Sequence, residues 1–149
     1  MALTDETKQS IITALDTTNL SESFIEMVLN RLDSFGYEIK DSDAWMIGFA
    51  MQKVENTIKN ECNISGIPDG LIHTAVDMSC GEFLFAKKQT GQLEVGDLDL
   101  IGAVSSIKEG DTQVNFNNDE SDSYKIDSLL NYLLNSGKGE LVCYRKIRW

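Results

Sequence analysis

Residues 68–88, with the sequence PDGLIHTAVDMSCGEFLFAKK, decide the fold of this chain. Proline is favoured in the first turn of a helix, so Pro68 marks the start of a helix that we predict to run to about Lys88. The apolar side chains of this stretch are spread around more than one face; they are Leu71, Ile72, Ala75, Val76, Met78, Phe83 and Leu84. Such a helix is typically surrounded by other helices. The sequence therefore places it at the centre of a helical bundle.

Helices with a single apolar face are predicted on both sides of this central helix. Apolar residues at i, i+3, i+4 and i+7 predict a helix from Ser21 to Phe35, with Ser23 and Glu26 as a capping box and Gly36 closing the end. Three more helices with an apolar stripe are predicted. The first is short and follows Thr4, with Ile11, Ile12 and Leu15. The second runs from the Asp41-Ser42-Asp43 cap to about Asn60, with Ala44, Ile47, Met51, Val54 and Ile58, and the third runs from about Asp119 or Ser121 to Asn135.

A β-hairpin is predicted at residues 104–116. Two short alternating runs flank the turn at Lys108-Glu-Gly110-Asp111. The residues that define the element are Val104, Ile107, Gly110, Asp111, Val114 and Phe116. A lone hairpin is only marginally stable in water, so we expect this one to pack on the helices or to pair with a strand of another subunit.

The C-terminal residues 138–149 differ chemically from the rest of the chain. They contain four basic residues and one acidic residue, whereas residues 1–137 contain nine basic and 23 acidic residues. A solvated tail has no reason to contain Leu141, Val142, Ile147 and Trp149, so we favour a docking arm over a frayed end. The predicted fold is thus mainly α: a compact bundle of about five helices at residues 1–137 with one β-hairpin, followed by a protruding C-terminal arm at 138–149.

The overall charge limits the classes of partner. A net charge of -11 repels the phosphate backbone, which excludes a protein that grips DNA along its whole face. Stacking of the aromatic and basic C-terminal residues on a single strand is a secondary alternative. Neither a signal peptide nor a long apolar span is visible, so we expect a soluble protein that is not exported by the usual route.

The candidate residues for chemistry are few. Cys62, Cys80 and Cys143 show no ligand spacing and are interpreted as reduced thiols, two of them in helices. His73 is interpreted as a packing residue of a buried helix. An enzyme would have to use His73 with Asp97 and Asp99 around a metal ion, but adjacent ligands alone do not make such a site. The sequence predicts no enzyme and no catalytic, cofactor or metal site.

The order of features is informative where single motifs are not. The segments are Ile64-Ser-Gly-Ile67-Pro68 followed by Leu71 and Asp77-Met78 in a helix, then Ile107-Lys-Glu-Gly110-Asp111-Thr-Gln-Val114-Asn-Phe116, a leucine-rich helix, and Tyr144-Arg-Lys-Ile-Arg-Trp149. Across residues 41–149 this order resembles the head–tail connector (adaptor) proteins of tailed double-stranded DNA bacteriophages and prophages.

The resemblance implies a structural protein of the virion neck, which is in the host cytoplasm during assembly. Such proteins form a ring, usually of twelve copies, between the portal protein and the stopper or tail-completion protein, and DNA passes through without sequence-specific binding. By this resemblance the portal-binding residues are Tyr144, Arg145, Lys146, Ile147, Arg148 and Trp149, and the hairpin lies between subunits or in the lumen. No cofactor and no membrane is implied. The alternative is a small acidic phage-encoded regulator or DNA mimic.

Overall fold

The computed structural model describes residues 5–14, 21–93 and 122–147. Its helices are α1 (Asp5–Ala14), α2 (Glu22–Ser34), α3 (Ala44–Cys62), α4 (Ile72–Gln89), α5 (Asp122–Asn135) and the single turn α6 (Lys138–Leu141). Three 3₁₀ turns complete the described structure; they are Asp41–Asp43, Asp69–Leu71 and Val142–Tyr144. The prediction of a mainly helical bundle is confirmed.

The two ends of α2 are capped by its own sequence. Ser21 has an extended backbone, and its Oγ accepts the N–H of Phe24 at 3.2 Å, which makes Ser21 the N-cap. The capping box predicted at Ser23 is wrong, because that residue already lies inside the helix. Gly36 closes the other end with φ 84°, and its N–H donates to the carbonyl of Asp33 at 2.9 Å. Glycine adopts this left-handed conformation without a Cβ penalty, so its predicted role is confirmed.

Helix α4 lies at the centre of the described bundle, as predicted, and packs against α2, α3 and α5. It approaches α5 closely at Gly81, where an added Cβ would lie 2.9 Å from Cβ of Leu133. The predicted apolar stripe of α3 is buried along the whole helix. Removal of this apolar surface from water is the main stabilising contribution to the fold. The largest fully buried side chains are Phe24, Phe35, Phe83, Ile11, Leu29, Leu32, Ile47, Met51, Ile58, Leu71 and Leu84.

A buried polar network lies at the start of α3. Asp43 Oδ1 accepts from Lys87 Nζ at 2.8 Å, and its Oδ2 accepts from the Tyr37 hydroxyl at 2.8 Å and from the Lys40 N–H at 3.1 Å. Lys87 also donates to Gln92 Oε1 at 3.0 Å. Asp43 is the N-cap residue of α3, but its side chain makes no cap bond to that helix. Its carboxylate accepts the Lys40 N–H at the start of the preceding 3₁₀ turn instead. Its main role is to neutralise Lys87 inside the protein.

The β-hairpin predicted at residues 104–116 lies outside the described residues and stays a prediction. The same holds for Asp97 and Asp99, and for Arg148 and Trp149 at the C-terminus. Within residues 5–14, 21–93 and 122–147 there is no strand. The hairpin part of the predicted fold class therefore has no support among the described elements.

Residues 138–146 fold back onto the bundle. Leu141 is buried, and its carbonyl accepts from the Cys62 thiol at 3.3 Å (S···O). Further along, the Lys146 N–H donates to the carbonyl of Cys62 at 2.8 Å. The expectation of a protruding arm is wrong for this stretch, because burial of Leu141 in the core fixes the segment against the end of α3.

Candidate functional site

Exposed aromatic side chains form the first unusual surface of the protein. Trp45 is 66% exposed and Phe49 is 52% exposed, and their rings stack with centroids 5.3 Å apart and planes 17° apart. Phe85 of α4 is also exposed. We call Trp45, Phe49 and Phe85 the aromatic surface. Three large aromatic residues on one face exceed the scattered apolar residues that an ordinary surface contains, and such a cluster is typical of a binding site.

A groove of about 310 Å³ between α3 and α4 belongs to the aromatic surface. Its lining includes Met46, Phe49 and Phe85. At one side Lys53 and Glu82 form an ion pair across the two helices with an N–O distance of 3.0 Å. An apolar floor with a charged rim is the usual arrangement of a protein–protein contact.

The aromatic surface was not predicted, although the sequence contains a signal for it. Trp45 and Phe49 are four residues apart, so they lie on one face of α3. That face is not the stripe of Ile47 and Met51, which is buried. Large aromatic residues outside the buried stripe of an otherwise amphipathic helix would have indicated an interaction surface.

The second unusual surface is formed by the C-terminal segment. Val142, Tyr144 and Ile147 are exposed apolar residues, and Ile147 is 78% exposed. Arg145 and Lys146 are exposed between them. We call these five residues the C-terminal surface. It contains four of the six predicted portal-binding residues and combines cationic with apolar contacts.

The start of the C-terminal segment contacts Thr74 of α4. Glu140 accepts a hydrogen bond from the Thr74 hydroxyl at 2.9 Å. Gly137 lies so close to Thr74 that an added Cβ would overlap its side chain.

Burial raises the pKa of the Cys62 thiol above its ordinary value, and Glu61 adds to this shift while the nearby Arg145 opposes it. The thiol is therefore protonated and donates to the segment at neutral pH.

The aromatic surface and the C-terminal surface lie at opposite ends of α3. Trp45 and Phe49 are in the first two turns of the helix, whereas the C-terminal segment is bonded to Cys62 at its last residue. At a rise of about 1.5 Å per residue, Phe49 and Cys62 are roughly 20 Å apart along the helix axis. One molecule therefore presents two separate apolar surfaces of different composition.

A third feature is a polar groove of about 470 Å³ between α2 and α4. Arg31 Nε donates to Asp77 Oδ1 at 3.0 Å, and His73 lines the same groove. Burial raises the pKa of Asp77 above its ordinary value, although Arg31 opposes the shift. The interpretation of His73 as a buried packing residue is wrong: it lies on the exposed face of α4.

The described residues that line the polar groove include no cysteine. Cys80 lies one turn beyond Asp77, but it is fully buried, and burial raises its pKa far above the ordinary range for a thiol. A thiol is nucleophilic as the thiolate, so Cys80 is inert at neutral pH. Among the described residues, no group of three His, Cys, Asp or Glu side chains could bind a metal ion. No helix in this part of the chain is long and apolar enough to cross a membrane.

Comparisons with protein-family models, with curated proteins and with solved structures find no match for this chain. Its function is therefore inferred from its own surfaces. The two exposed apolar surfaces contain residue types that are common in protein–protein contacts. The polar groove contains an Arg31–Asp77 ion pair beside the exposed His73.

Proposed function

We propose that this chain is a structural subunit of the head–tail connector type, which forms a ring and joins the portal to the stopper or tail proteins. The observation that supports this proposal is the pair of unlike apolar surfaces at the two ends of α3. A ring closed by heterologous contacts needs two different patches on every subunit. A subunit that connects two different partners has the same requirement.

The composition of each surface suggests its partner. The C-terminal surface combines Arg145 and Lys146 with Ile147, which suits the portal contact that the sequence resemblance implies for this segment. The aromatic surface is uncharged apart from the Lys53–Glu82 pair at its rim, which suits a contact between neighbouring subunits. Tryptophan and arginine are enriched among residues whose truncation weakens interfaces most.

The acidic composition of residues 1–137 fits a channel through which DNA passes. Carboxylates repel phosphate, so a duplex moves along an acidic wall without being held by it. The protein thus acts by shape, charge and contact in the neck of the virion and catalyses no reaction.

The proposal is tested by co-sedimentation of the full-length chain with portal rings from the same source. We expect Ile147→Asp to abolish co-sedimentation. Gly139→Asp is the matched control, because it adds the same charge in the same segment at an exposed position where an added Cβ meets nothing within 4 Å. Phe49→Ser is expected to bind portal but to release from it more readily, because contacts between neighbouring subunits are lost.

Each outcome separates the alternatives. Full binding by Ile147→Asp would move the portal contact away from the C-terminal surface. Equal loss in the Ile147 and Gly139 variants would assign the effect to the added negative charge and not to loss of the Ile147 contact. Absence of binding by the unaltered chain would contradict the connector proposal. Inhibition of a DNA-binding protein by that same chain would then favour the acidic regulator.

A further inference from the structure

Three contacts attach the C-terminal surface to the end of α3 and to the turn that follows it. The hydroxyl end of the Tyr144 ring lies against Gly70, the Lys146 N–H donates to the Cys62 carbonyl at 2.8 Å, and Asn63 Nδ2 donates to the Lys146 carbonyl at 3.2 Å. We call these three contacts the latch. The N–H and the C=O of Lys146 are both bonded to residues at the end of α3, so the backbone of the surface is fixed at Lys146, and Tyr144 adds a side-chain contact.

Gly70 leaves the space that the Tyr144 side chain occupies. A Cβ built on Gly70 would overlap the phenol of Tyr144, so any larger residue would displace the ring. The backbone of Gly70 is not in the left-handed region, where Gly36 and Gly91 lie. An alanine at this position would therefore be compatible with the turn and would disturb only the contact with Tyr144.

Asn63 contributes to the latch through its backbone conformation and its side chain. Its φ of 56° ends α3, and its N–H donates to the carbonyl of Lys59. Asparagine and glycine are the residues that most readily adopt this conformation at a helix end. The same residue that terminates the helix thus directs an amide group to Lys146. Asn63→Gly would keep the backbone and remove only the bond to Lys146.

We propose that residues 142–147 form a docking surface that is already folded in the free chain, positioned by Gly70, Cys62 and Asn63, and do not form an arm that orders only when a partner binds. The identity of the partner rests on the proposed function, whereas the latch itself does not. In this arrangement the conformational entropy of the segment is lost when the protein folds, and binding does not require further ordering.

The chemistry of the surface defines the partner it fits. Arg145 and Lys146 are exposed beside Val142 and Ile147, while the carboxylate of Glu140 is engaged by Thr74. The complementary surface is an apolar depression with carboxylates at its rim. Binding to such a partner should weaken as salt concentration rises, because rim charges are screened.

Hydrogen exchange of the free, full-length chain tests the latch without any partner. The Lys146 amide is expected to be protected in the unaltered chain. Gly70→Ala should speed its exchange about tenfold, the factor expected for loss of roughly half the burial of one aromatic ring. Gly66→Ala is the matched control, because a Cβ there meets nothing within 4 Å, and it should leave the exchange unchanged. Asn63→Gly should speed exchange about fivefold through loss of one hydrogen bond.

Affinity for portal rings, measured on the same four proteins and on the Gly70→Ala/Asn63→Gly double variant, tests whether the folded segment is the binding form. Each variant has a smaller fraction of molecules in which the latch is formed, and its affinity should fall by the same factor as that fraction. An unprotected Lys146 amide in the unaltered chain would overturn the proposal whether or not portal binds. Loss of protection with full affinity would overturn it too. A protected amide that responds to Gly70→Ala, together with no portal binding by any chain, would support the latch and contradict the connector function.

Discussion

Replacement of Lys87 by methionine is expected to lower the free energy of unfolding by about 3–5 kcal/mol. Methionine keeps much of the apolar stem but removes the ammonium group that lies 2.8 Å from Asp43. The Asp43 side chain is only 2% exposed, so its carboxylate would remain buried with the Tyr37 hydroxyl and the Lys40 N–H as donors. Removal of one partner from a buried pair has a large effect because the other charge cannot reach water.

The Lys53–Glu82 pair provides a control of nearly the same geometry. Its N–O distance is 3.0 Å, but the Lys53 side chain is 55% exposed, so Lys53→Met should change stability by only about 0–1 kcal/mol. Urea unfolding followed by far-UV circular dichroism gives both values, provided that the m-values agree. The double variant Asp43→Asn/Lys87→Met should lose less than the sum of its single variants. If Lys87→Met were no more destabilising than Lys53→Met, the network would not be a buried ion pair and the reasoning would fail.

Three other predictions follow from the packing and the titrating groups. Gly81→Ala should separate α4 from α5 and destabilise the protein by about 1–3 kcal/mol, whereas Gly139→Ala, which meets no neighbour, should change urea stability by less than about 0.5 kcal/mol. The pKa of Asp77, measured by NMR, should lie above its ordinary value and should be higher still in Arg31→Met. Because this pKa is higher in the folded than in the unfolded protein, the contribution of Asp77 to stability is greatest below the unfolded-state pKa and decreases as pH rises through the folded-state pKa. In the folded protein only Cys143 should react with a thiol reagent, and the two buried cysteines should react on unfolding.

The parts of the fold that were predictable are those encoded by neighbouring residues. The stripe of α3 and the glycine that ends α2 follow from spacing and from one conformational preference, so a single sequence suffices. The central position of the helix containing Cys80 was likewise visible, because its apolar residues occupy several faces. Even the error at Ser23 is local: two nearby serines could both cap a helix, and only the backbone angles decide between them.

The parts that were not predictable depend on residues distant in sequence. Asp43 and Lys87 are 44 residues apart, and nothing local indicates that a cap-like aspartate neutralises a lysine of another helix. The C-terminal segment shows the same limit. Leu141 and Ile147 are equally apolar, yet one is buried beside Cys62 and the other is exposed, because only the position of the segment on α3 distinguishes them.

The arrangement of α3 determines how the two exposed surfaces can act together. This helix packs against α1 and α4 along its buried stripe, so a change in the relative position of its ends would require repacking of a close-packed interior. The helix begins directly after Asp43, which lies two residues before Trp45, and the bond from Asp43 to Lys87 fixes this end of the helix. Its last residue, Cys62, bonds to the C-terminal segment. A partner bound at one surface therefore fixes the orientation of the other surface. In the connector that we propose, a portal bound to the C-terminal surface would align the aromatic surface for the next subunit without any conformational change in the bundle.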